Sequence, residues 1–236
     1  MIYEPHDYQK YATGYIESHP IAAVLLDMGL GKTSITLTAL NDLLFDSFEV
    51  HKVLVVAPLR VARFTWSEEI EKWEHLNGLQ YSVAVGTEKE RLEALNRRAD
   101  IYIINRENVQ WLIEESGIPF DFDMVVIDEL SSFKNHQAKR FRSLMKVRPR
   151  VKRIVGLTGT PTANGLMDLW AEFRLLDMGQ RNPNPNPSFS PSPTPSLTLT
   201  LALDLAPTLT LTQTLALALT LTLTLTLALA LALAQA

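Results

Sequence analysis

The chain has no cysteine among its 236 residues, so it can form neither a disulfide scaffold nor a thiolate metal site. Its five histidines are scattered, and none of the spacings typical of metal ligands occurs among them. The first ten residues, MIYEPHDYQK, also lack the basic-then-apolar pattern of a secretory signal. We therefore expect a cytoplasmic protein without disulfides.

Basic residues are absent from the C-terminal part of the chain. From Asn182 onward the sequence is nearly all Thr, Leu, Ala, Pro, Asn and Ser, with Asp204 as its one acidic residue. The formal net charge of -4 therefore belongs almost wholly to the part before it. This change in composition predicts a globular domain over residues 1–180 and a low-complexity tail over residues 181–236.

The low-complexity tail allows several interpretations. It begins with Asn-Pro repeats at Asn182 and ends in Thr-Leu and Leu-Ala dipeptides, whose period of two suits an aggregation-prone strand. The uncharged run from Leu205 is long enough to span a bilayer, but its Thr content, Pro207 and Gln213 argue against membrane insertion. We favour a disordered segment. The DNA repeat CCCTAA encodes Asn-Pro and Leu-Thr repeats in two frames, so the tail is also consistent with translated simple-repeat DNA.

Strand-like and helix-like segments alternate through residues 1–180. Six short apolar runs predict buried strands: Ile21–Leu26, Val53–Ala57, Tyr81–Val85, Ile101–Ile104, Met124–Ile127 and Ile154–Leu157. Segments with helical spacing follow them: Thr33–Phe45, Val61–Trp73, Lys89–Arg97, Glu107–Glu115, Lys134–Met145 and Met167–Leu176. This alternation predicts an α/β fold with a mainly parallel sheet and helices on both faces. Ligands of such sheets bind at the carboxyl ends of the strands.

The segment Leu25–Leu40, LLDMGLGKTSITLTAL, follows the first predicted strand and opens a helix. Gly29 and Gly31 allow the backbone N–H groups to converge on an anion, while Lys32 reaches phosphates and the Thr33 hydroxyl binds Mg²⁺. Leu26 stands where the full pattern has Gly, and a Gly-rich helix start is the alternative. We predict that ATP and Mg²⁺ bind here, and that the phosphates contact Met28, Gly29, Leu30, Gly31, Lys32, Thr33 and Ser34.

Two further motifs follow predicted strands. The strand at 124–127 ends in Asp128 and Glu129; beside a phosphate loop, the first acid binds Mg²⁺ and the second deprotonates the attacking water. We therefore predict Lys32, Asp128 and Glu129 as catalytic residues, although a solvated acidic turn has the same sequence. Thr158, Gly159 and Thr160 follow the last strand and could sense the γ-phosphate, or simply form a strand-to-helix turn.

In this order, GLGKT, DELS and GLTGTP resemble motifs I, II and III of superfamily-two helicases, within which the chain is similar to Swi/Snf-type DNA translocases of bacteriophages. The resemblance covers Pro5 to Met178 and suggests a viral or bacterial origin. It implies a three-layer RecA-like P-loop NTPase domain, and such phage forms have MGLGKT, which accounts for Leu26. Ser131 departs from the His of eukaryotic members, and we expect it to alter coupling more than magnesium binding.

The resemblance assigns further residues. Gln9 matches a glutamine that hydrogen-bonds the adenine, and Thr158–Thr160 match the motif that couples the nucleotide to movement. Arg60 and Arg63 match motif Ia, which contacts the nucleic-acid backbone, so DNA, in its double-stranded form, is the implied partner. Residues 105–107 are a weak match to motif Ib.

Trp66 and Trp73 share one face of the predicted helix Val61–Trp73 by their spacing, and we expect them in the core rather than stacked on bases. The stretch from Lys134 to Arg153 contains nine basic residues and no acid. Such a stretch is typical of a phosphate-tracking surface and equally of a solvated helix face, so the sequence leaves both open.

Members of this family carry a second motor domain that supplies an arginine finger. Nothing after Met178 resembles it, so we expect a truncated protein that binds Mg-ATP but hydrolyses it poorly, unless a separate chain supplies that domain. ATP binding with DNA-dependent hydrolysis is the expected function. The alternative is a non-catalytic fragment that binds nucleic acid or a partner.

Overall fold

The computed structural model describes residues 1–160 and 166–179 of the chain. Six strands form one sheet in this part: β1 Ile21–Leu25, β2 Val53–Ala57, β3 Tyr81–Ala84, β4 Ile101–Asn105, β5 Met124–Asp128 and β6 Arg153–Thr158. The strand order is β1-β6-β5-β2-β4-β3, and every neighbouring pair is parallel. The tail predicted over residues 181–236 lies outside the described residues.

All six predicted strands are confirmed, each within two residues of its observed bounds. β2 and β4 are buried along their whole length, because helices cover both faces of the sheet and continuous runs of β-branched residues fit that environment. At the centre of the sheet, Val55 pairs with Ile103 on one side and Val126 on the other.

The described residues form seven α-helices, which follow the strands or precede the first one: α1 Asp7–Ser18, α2 Lys32–Asn41, α3 Trp66–Lys72, α4 Glu88–Asn96, α5 Val109–Glu114, α6 Lys139–Val147 and α7 Leu166–Asp177. Two predicted helical segments contain a π-helical turn, at Asp42–Asp46 and Val61–Thr65. The segment predicted from Lys134 becomes α-helical later, at Lys139. The side chain of Asn135 accepts a hydrogen bond from the Gln137 N–H at 2.9 Å, which forms a local turn that competes with helix.

The sheet separates two apolar cores, which gives the three layers that the resemblance implies. One core packs the helices α1, α2 and α3 against the sheet, through side chains such as Ile16, Ile35 and Trp66. The other packs α5, α6 and α7, through Leu112, Leu144 and Leu175. No helix among the described residues is long and apolar enough to cross a membrane.

Two arginines at the end of the basic stretch are buried and stabilise the fold. Neither interpretation of the sequence, a phosphate-tracking surface or a solvated helix face, predicts this role. Arg148 is 3% exposed, and its guanidinium donates to the carbonyl oxygens of Leu175 and Leu176 at the end of α7 and to that of Val151. Arg153 is also buried and donates to Ile16 O at 2.7 Å, near the end of α1. Both guanidiniums satisfy helix-terminal carbonyls that have no partner within the helix.

The basic side chains on the exterior are Lys139, Arg142, Lys146, Arg150 and Lys152. Two of them pair with acids, since Lys146 lies 2.5 Å from Glu114 and Lys152 lies 2.8 Å from Asp123. The stretch therefore presents less unpaired positive charge than its sequence indicates.

Candidate nucleotide-binding site

The loop between β1 and α2 turns at two glycines. Gly29 and Gly31 have φ values of 83° and 76°, in the left-handed region that favours glycine. A Cβ on Gly31 would also come within 2.5 Å of Gln9 Nε2 and 2.9 Å of Ser34 Oγ. Gly31 caps α2 without a side-chain hydrogen bond, so the N–H groups of the first turn at Lys32, Thr33 and Ser34 face the loop as donors for an anion.

Lys32 lies over this loop rather than extending away from it. Its ammonium donates to the carbonyl oxygens of Leu26 at 2.6 Å and Asp27 at 2.9 Å. A Cβ on Gly159 would lie 3.7 Å from Lys32 Nζ and 3.3 Å from the oxygen of Leu26. The ammonium is thus placed between the first and the third predicted motifs, beside Gly159, where a Cβ would come into tight contact with the Leu26 oxygen.

Asp128 ends β5 and accepts a hydrogen bond from the indole N–H of Trp66 at 2.9 Å. Burial raises the pKa of Asp128, and the neighbouring charge of Glu129 raises it further, while the Trp66 hydrogen bond and the charge of Lys32 oppose the rise. Asp128 is therefore a largely desolvated carboxylate whose ionised form depends on nearby donors and positive charge.

Glu129 has a φ of 63°, uncommon for a residue other than glycine and a conformation that the surrounding structure has to maintain. The hydroxyls of Ser131 and Thr158 both donate to Glu129 Oε1, the latter at 3.3 Å. Thr158 Oγ1 in turn accepts from the Thr160 N–H at 3.1 Å. The acidic pair and the third motif are thus joined by direct hydrogen bonds.

Gln9 approaches the loop from α1. Its side-chain oxygen accepts from the His6 N–H at 2.9 Å, and its Nε2 donates to Leu30 O at 3.4 Å. The Tyr8 hydroxyl donates to the same carbonyl at 3.3 Å. The glutamine therefore lies against the loop, although 21 residues separate it from Leu30.

Arg60 and Arg63 lie on the turns between β2 and α3, and both are exposed. Leu59 and Phe64 beside them are also about half exposed, at 48% and 50%. The structure brings the other predicted site residues together at the carboxyl edge of the sheet. Arg60 and Arg63 follow the carboxyl end of β2 at the same edge, and Trp66 on α3 connects their segment to Asp128.

The donor set fits a magnesium nucleotide. Mg²⁺ typically uses one or two protein oxygens together with phosphates and waters, and the Thr33 hydroxyl and Asp128 carboxylate are oxygen donors of that kind. No group of three or more His, Cys, Asp or Glu side chains that could hold a metal by itself occurs in residues 1–160 and 166–179. The narrow space at Gly31 and the uncapped start of α2 suit a phosphate chain.

Two contacts of the acidic pair go beyond what the sequence predicts. Trp66 is fully buried, as expected of a core residue, but it also donates a hydrogen bond to Asp128, 62 positions away. Ser131, in sequence only a departure from the family pattern, contacts Glu129 through its hydroxyl. No local sequence signal reports a contact of the first kind, while the spacing of Ser131 and Glu129 on one tight turn is a signal for the second.

A parallel sheet between two helical layers, with a glycine loop after β1 and adjacent acids at the end of β5, defines a RecA-like domain of the P-loop ATPase class. The chain matches the family model of the SNF2-related domain over residues 18–185, and it belongs to that family. The expected resemblance to Swi/Snf-type proteins is thereby confirmed.

The chain is 37% identical over 185 residues to putative protein p41 of Acyrthosiphon pisum secondary endosymbiont phage 1, covering 76% of this chain and 40% of that protein. It is 33% identical to the mouse DNA excision repair protein ERCC-6-like, over 62% of this chain and 12% of that protein. The SWI2/SNF2 ATPase core of Sulfolobus solfataricus in complex with dsDNA superposes with a TM-score of 0.63 and 26% identity, over 76% of this chain and 38% of that one. The chain thus spans less than half the length of each.

Proposed function

We propose that this chain binds Mg-ATP at its glycine loop and hydrolyses it in a DNA-dependent manner, as the first motor domain of a Swi/Snf-type translocase. The observation that carries the proposal is the direct connection of three motifs. The Leu26 N–H donates to Thr158 O at 3.2 Å, and the Thr158 hydroxyl donates to Glu129 at 3.3 Å. The start of the phosphate loop, the acidic pair and the third motif therefore form one continuous wall.

On this proposal the loop binds the phosphates. The backbone N–H groups from Met28 to Ser34 converge on them because Gly29 and Gly31 take left-handed conformations. Lys32 leaves the carbonyls of Leu26 and Asp27 and pairs with the β- and γ-phosphates, whose negative charge makes them stronger acceptors. Gln9, already against Leu30, hydrogen-bonds the adenine.

The acidic pair has two roles. Thr33 and Asp128 hold Mg²⁺, which when bound neutralises charge on the phosphate oxygens. Glu129 orients the attacking water and accepts its proton, since its carboxylate is held by hydroxyls rather than by a cation. Thr158, Gly159 and Thr160 contact both sides of this arrangement and transmit the state of the γ-phosphate.

DNA is the proposed nucleic-acid partner. Arg60 and Arg63 are exposed on the turns before α3, where guanidiniums can pair with backbone phosphates. The neighbouring structure from Sulfolobus solfataricus holds dsDNA, which supports the double-stranded form. A surface of this kind binds DNA without reading its sequence.

We also propose that hydrolysis by this chain alone is slow. An arginine finger from a second domain accelerates related nucleotidases by roughly 10³–10⁵. The acid and lysine side chains of the proposed site all come from one wall, so the chain would need a second motor domain, for instance on a separate chain, to turn over rapidly.

The test is nucleotide binding and ATPase activity of the purified chain and of residues 1–180, each with and without duplex DNA. We expect binding of a fluorescent ATP analogue that Lys32→Ala weakens by about 10- to 100-fold, because a charge-assisted contact is lost. Lys10→Ala is the matched control, since Lys10 is exposed and pairs with Asp7 on the same helix. DNA binding without any nucleotide binding would instead favour a non-catalytic nucleic-acid-binding protein, and a fast DNA-stimulated ATPase would refute slow hydrolysis.

A further inference from the structure

Trp66 joins the helix after the exposed arginines to the acidic pair. Its ring is fully buried, in the core between α1, α2, α3 and the sheet, and its N–H reaches Asp128 Oδ2 at 2.9 Å. A buried indole needs an acceptor for its N–H, but any backbone carbonyl would satisfy it. In this protein the acceptor is the carboxylate at the end of β5, 62 residues away in sequence.

Asp128 accepts its side-chain hydrogen bond from Trp66, and the backbone N–H of the adjacent Glu129 contributes a smaller one. The ammonium of Lys32 donates to the Leu26 and Asp27 carbonyls, and the adjacent Glu129 repels the Asp128 charge. A carboxylate desolvated beside a like charge is stabilised by a directional hydrogen bond, which also selects one rotamer. The indole N–H engages only Oδ2 of the carboxylate.

We propose that Trp66 is a positioning residue for magnesium: its indole N–H holds the Asp128 carboxylate in the orientation that binds the ion. The inference rests on the proposed function, because it concerns the same metal site. It assigns to a core tryptophan a role in metal affinity that is separate from its contribution to packing.

The place of Trp66 in the chain puts it next to a residue of the proposed DNA-binding surface. The π-helical turn Val61–Thr65 lies directly before Trp66 and contains Arg63. π-helical turns are rare and are frequently found at functional sites. Trp66 therefore lies three residues after an exposed arginine and in direct contact with the Asp128 carboxylate.

The test compares Trp66→Phe with Trp73→Phe. Phenylalanine keeps a buried ring and removes the N–H. Trp73 is the matched control because its N–H also donates to a carboxylate, that of Glu69 at 2.7 Å, which lies on α3 and not at the acidic pair. The readout is the affinity for a fluorescent ATP analogue with saturating Mg²⁺ and with EDTA, which separates the metal contribution from nucleotide binding itself.

We expect Trp66→Phe to reduce the gain in affinity from Mg²⁺ by about tenfold, the effect of one hydrogen bond to a charged group, and to leave the affinity in EDTA unchanged. Trp73→Phe leaves both unchanged. If Trp66→Phe lowers only the melting temperature and the Mg²⁺ gain persists, the tryptophan serves packing alone and the proposal is wrong. If the wild-type chain binds no nucleotide in either condition, the proposed function fails and this inference falls with it.

A second measurement applies to the wild-type fold. The indole N–H resonance of Trp66, assigned by elimination with Phe variants of Trp73, Trp111 and Trp170, should shift on addition of Mg²⁺ with ADP and in Asp128→Asn. The resonance of Trp73 should shift in neither. A Trp66 resonance that is insensitive to Asp128→Asn would show that the hydrogen bond does not exist in solution and would overturn the proposal even if Trp66→Phe failed to fold.

Discussion

The side-chain amide of Gln9 occupies the space where Gly31 would carry a Cβ: the built Cβ lies 2.5 Å from Gln9 Nε2. Gly31 also has a φ of 76°, so a side chain there is strained by its backbone as well as by its neighbour. We expect Gly31→Ala to destabilise the domain by about 1–3 kcal/mol and to weaken nucleotide binding, because both the loop and Gln9 must move.

Gly14→Ala is the matched control for this substitution. Gly14 lies in α1 with nothing within 4 Å of a built Cβ, so alanine should stabilise the domain by about 0.5–1 kcal/mol through helix propensity. Chemical denaturation measures both stabilities. Equal nucleotide affinity in Gly31→Ala and wild type would show that the loop adopts another conformation.

Arg148→Ala should destabilise the domain by about 2–4 kcal/mol without affecting DNA binding. The buried guanidinium donates to Leu175, Leu176 and Val151, and its removal leaves helix-end carbonyls without partners. Arg150→Ala removes an exposed charge from the same turn and should change stability by less than about 0.5 kcal/mol. Urea denaturation monitored by circular dichroism distinguishes them, and equal stability of the two variants would contradict the structural role of Arg148.

The double variant Arg60→Ala, Arg63→Ala should weaken duplex DNA binding uniformly across sequences. If each guanidinium neutralises one phosphate, the slope of log K against log salt falls by about 1.8. Arg97→Ala, Arg98→Ala removes two exposed charges at the end of α4 and serves as the control. Titration of each variant with duplex DNA at several salt concentrations measures the slope. An equal reduction of the slope in both double variants would indicate general electrostatic attraction.

Asp123 is expected to make the free energy of unfolding of the domain decrease at acidic pH. Its partial burial alone would raise the pKa of Asp123, but hydrogen bonds from Lys152 and the His51 N–H, with the charge of Lys152, lower it below 3.8. A lowered folded pKa contributes stability above the unfolded value, and that contribution is lost as the pH falls through the folded pKa. We expect Asp123→Asn to cost about 1.5–3 kcal/mol at neutral pH and to flatten the loss of stability below about pH 4.

The comparison for Asp123→Asn is Asp121→Asn. Asp121 is 59% exposed and pairs with Lys52, so its removal should cost no more than about 1 kcal/mol. Urea denaturation from pH 3 to pH 7 provides the measurement. A parallel pH dependence of Asp123→Asn and wild type would assign the acid sensitivity to other groups.

The strands can be predicted closely because each buried strand is a short apolar run between polar residues. The predicted bounds of Val53–Ala57 match the observed ones, while the helix predicted from Lys134 begins at Lys139 because a local turn at Asn135 competes with it. Helix starts depend on such side-chain hydrogen bonds, which spacing patterns do not report. The π-helical turn before Trp66 has no signature in the sequence for the same reason.

The sequence by itself determined the alternation of strands and helices along the chain, the glycine loop that leads into Lys32, and the acids Asp128 and Glu129. These features depend on residues that lie close together in the chain. The tertiary structure alone decided which distant groups meet them: the indole of Trp66 at Asp128, the hydroxyl of Thr158 at Glu129 and the amide of Gln9 at Gly31. It also converted two basic residues, Arg148 and Arg153, into buried helix caps. The physical reason is that burial and hydrogen-bond partners are properties of packing, since a parallel sheet brings together strand ends that lie many residues apart in sequence.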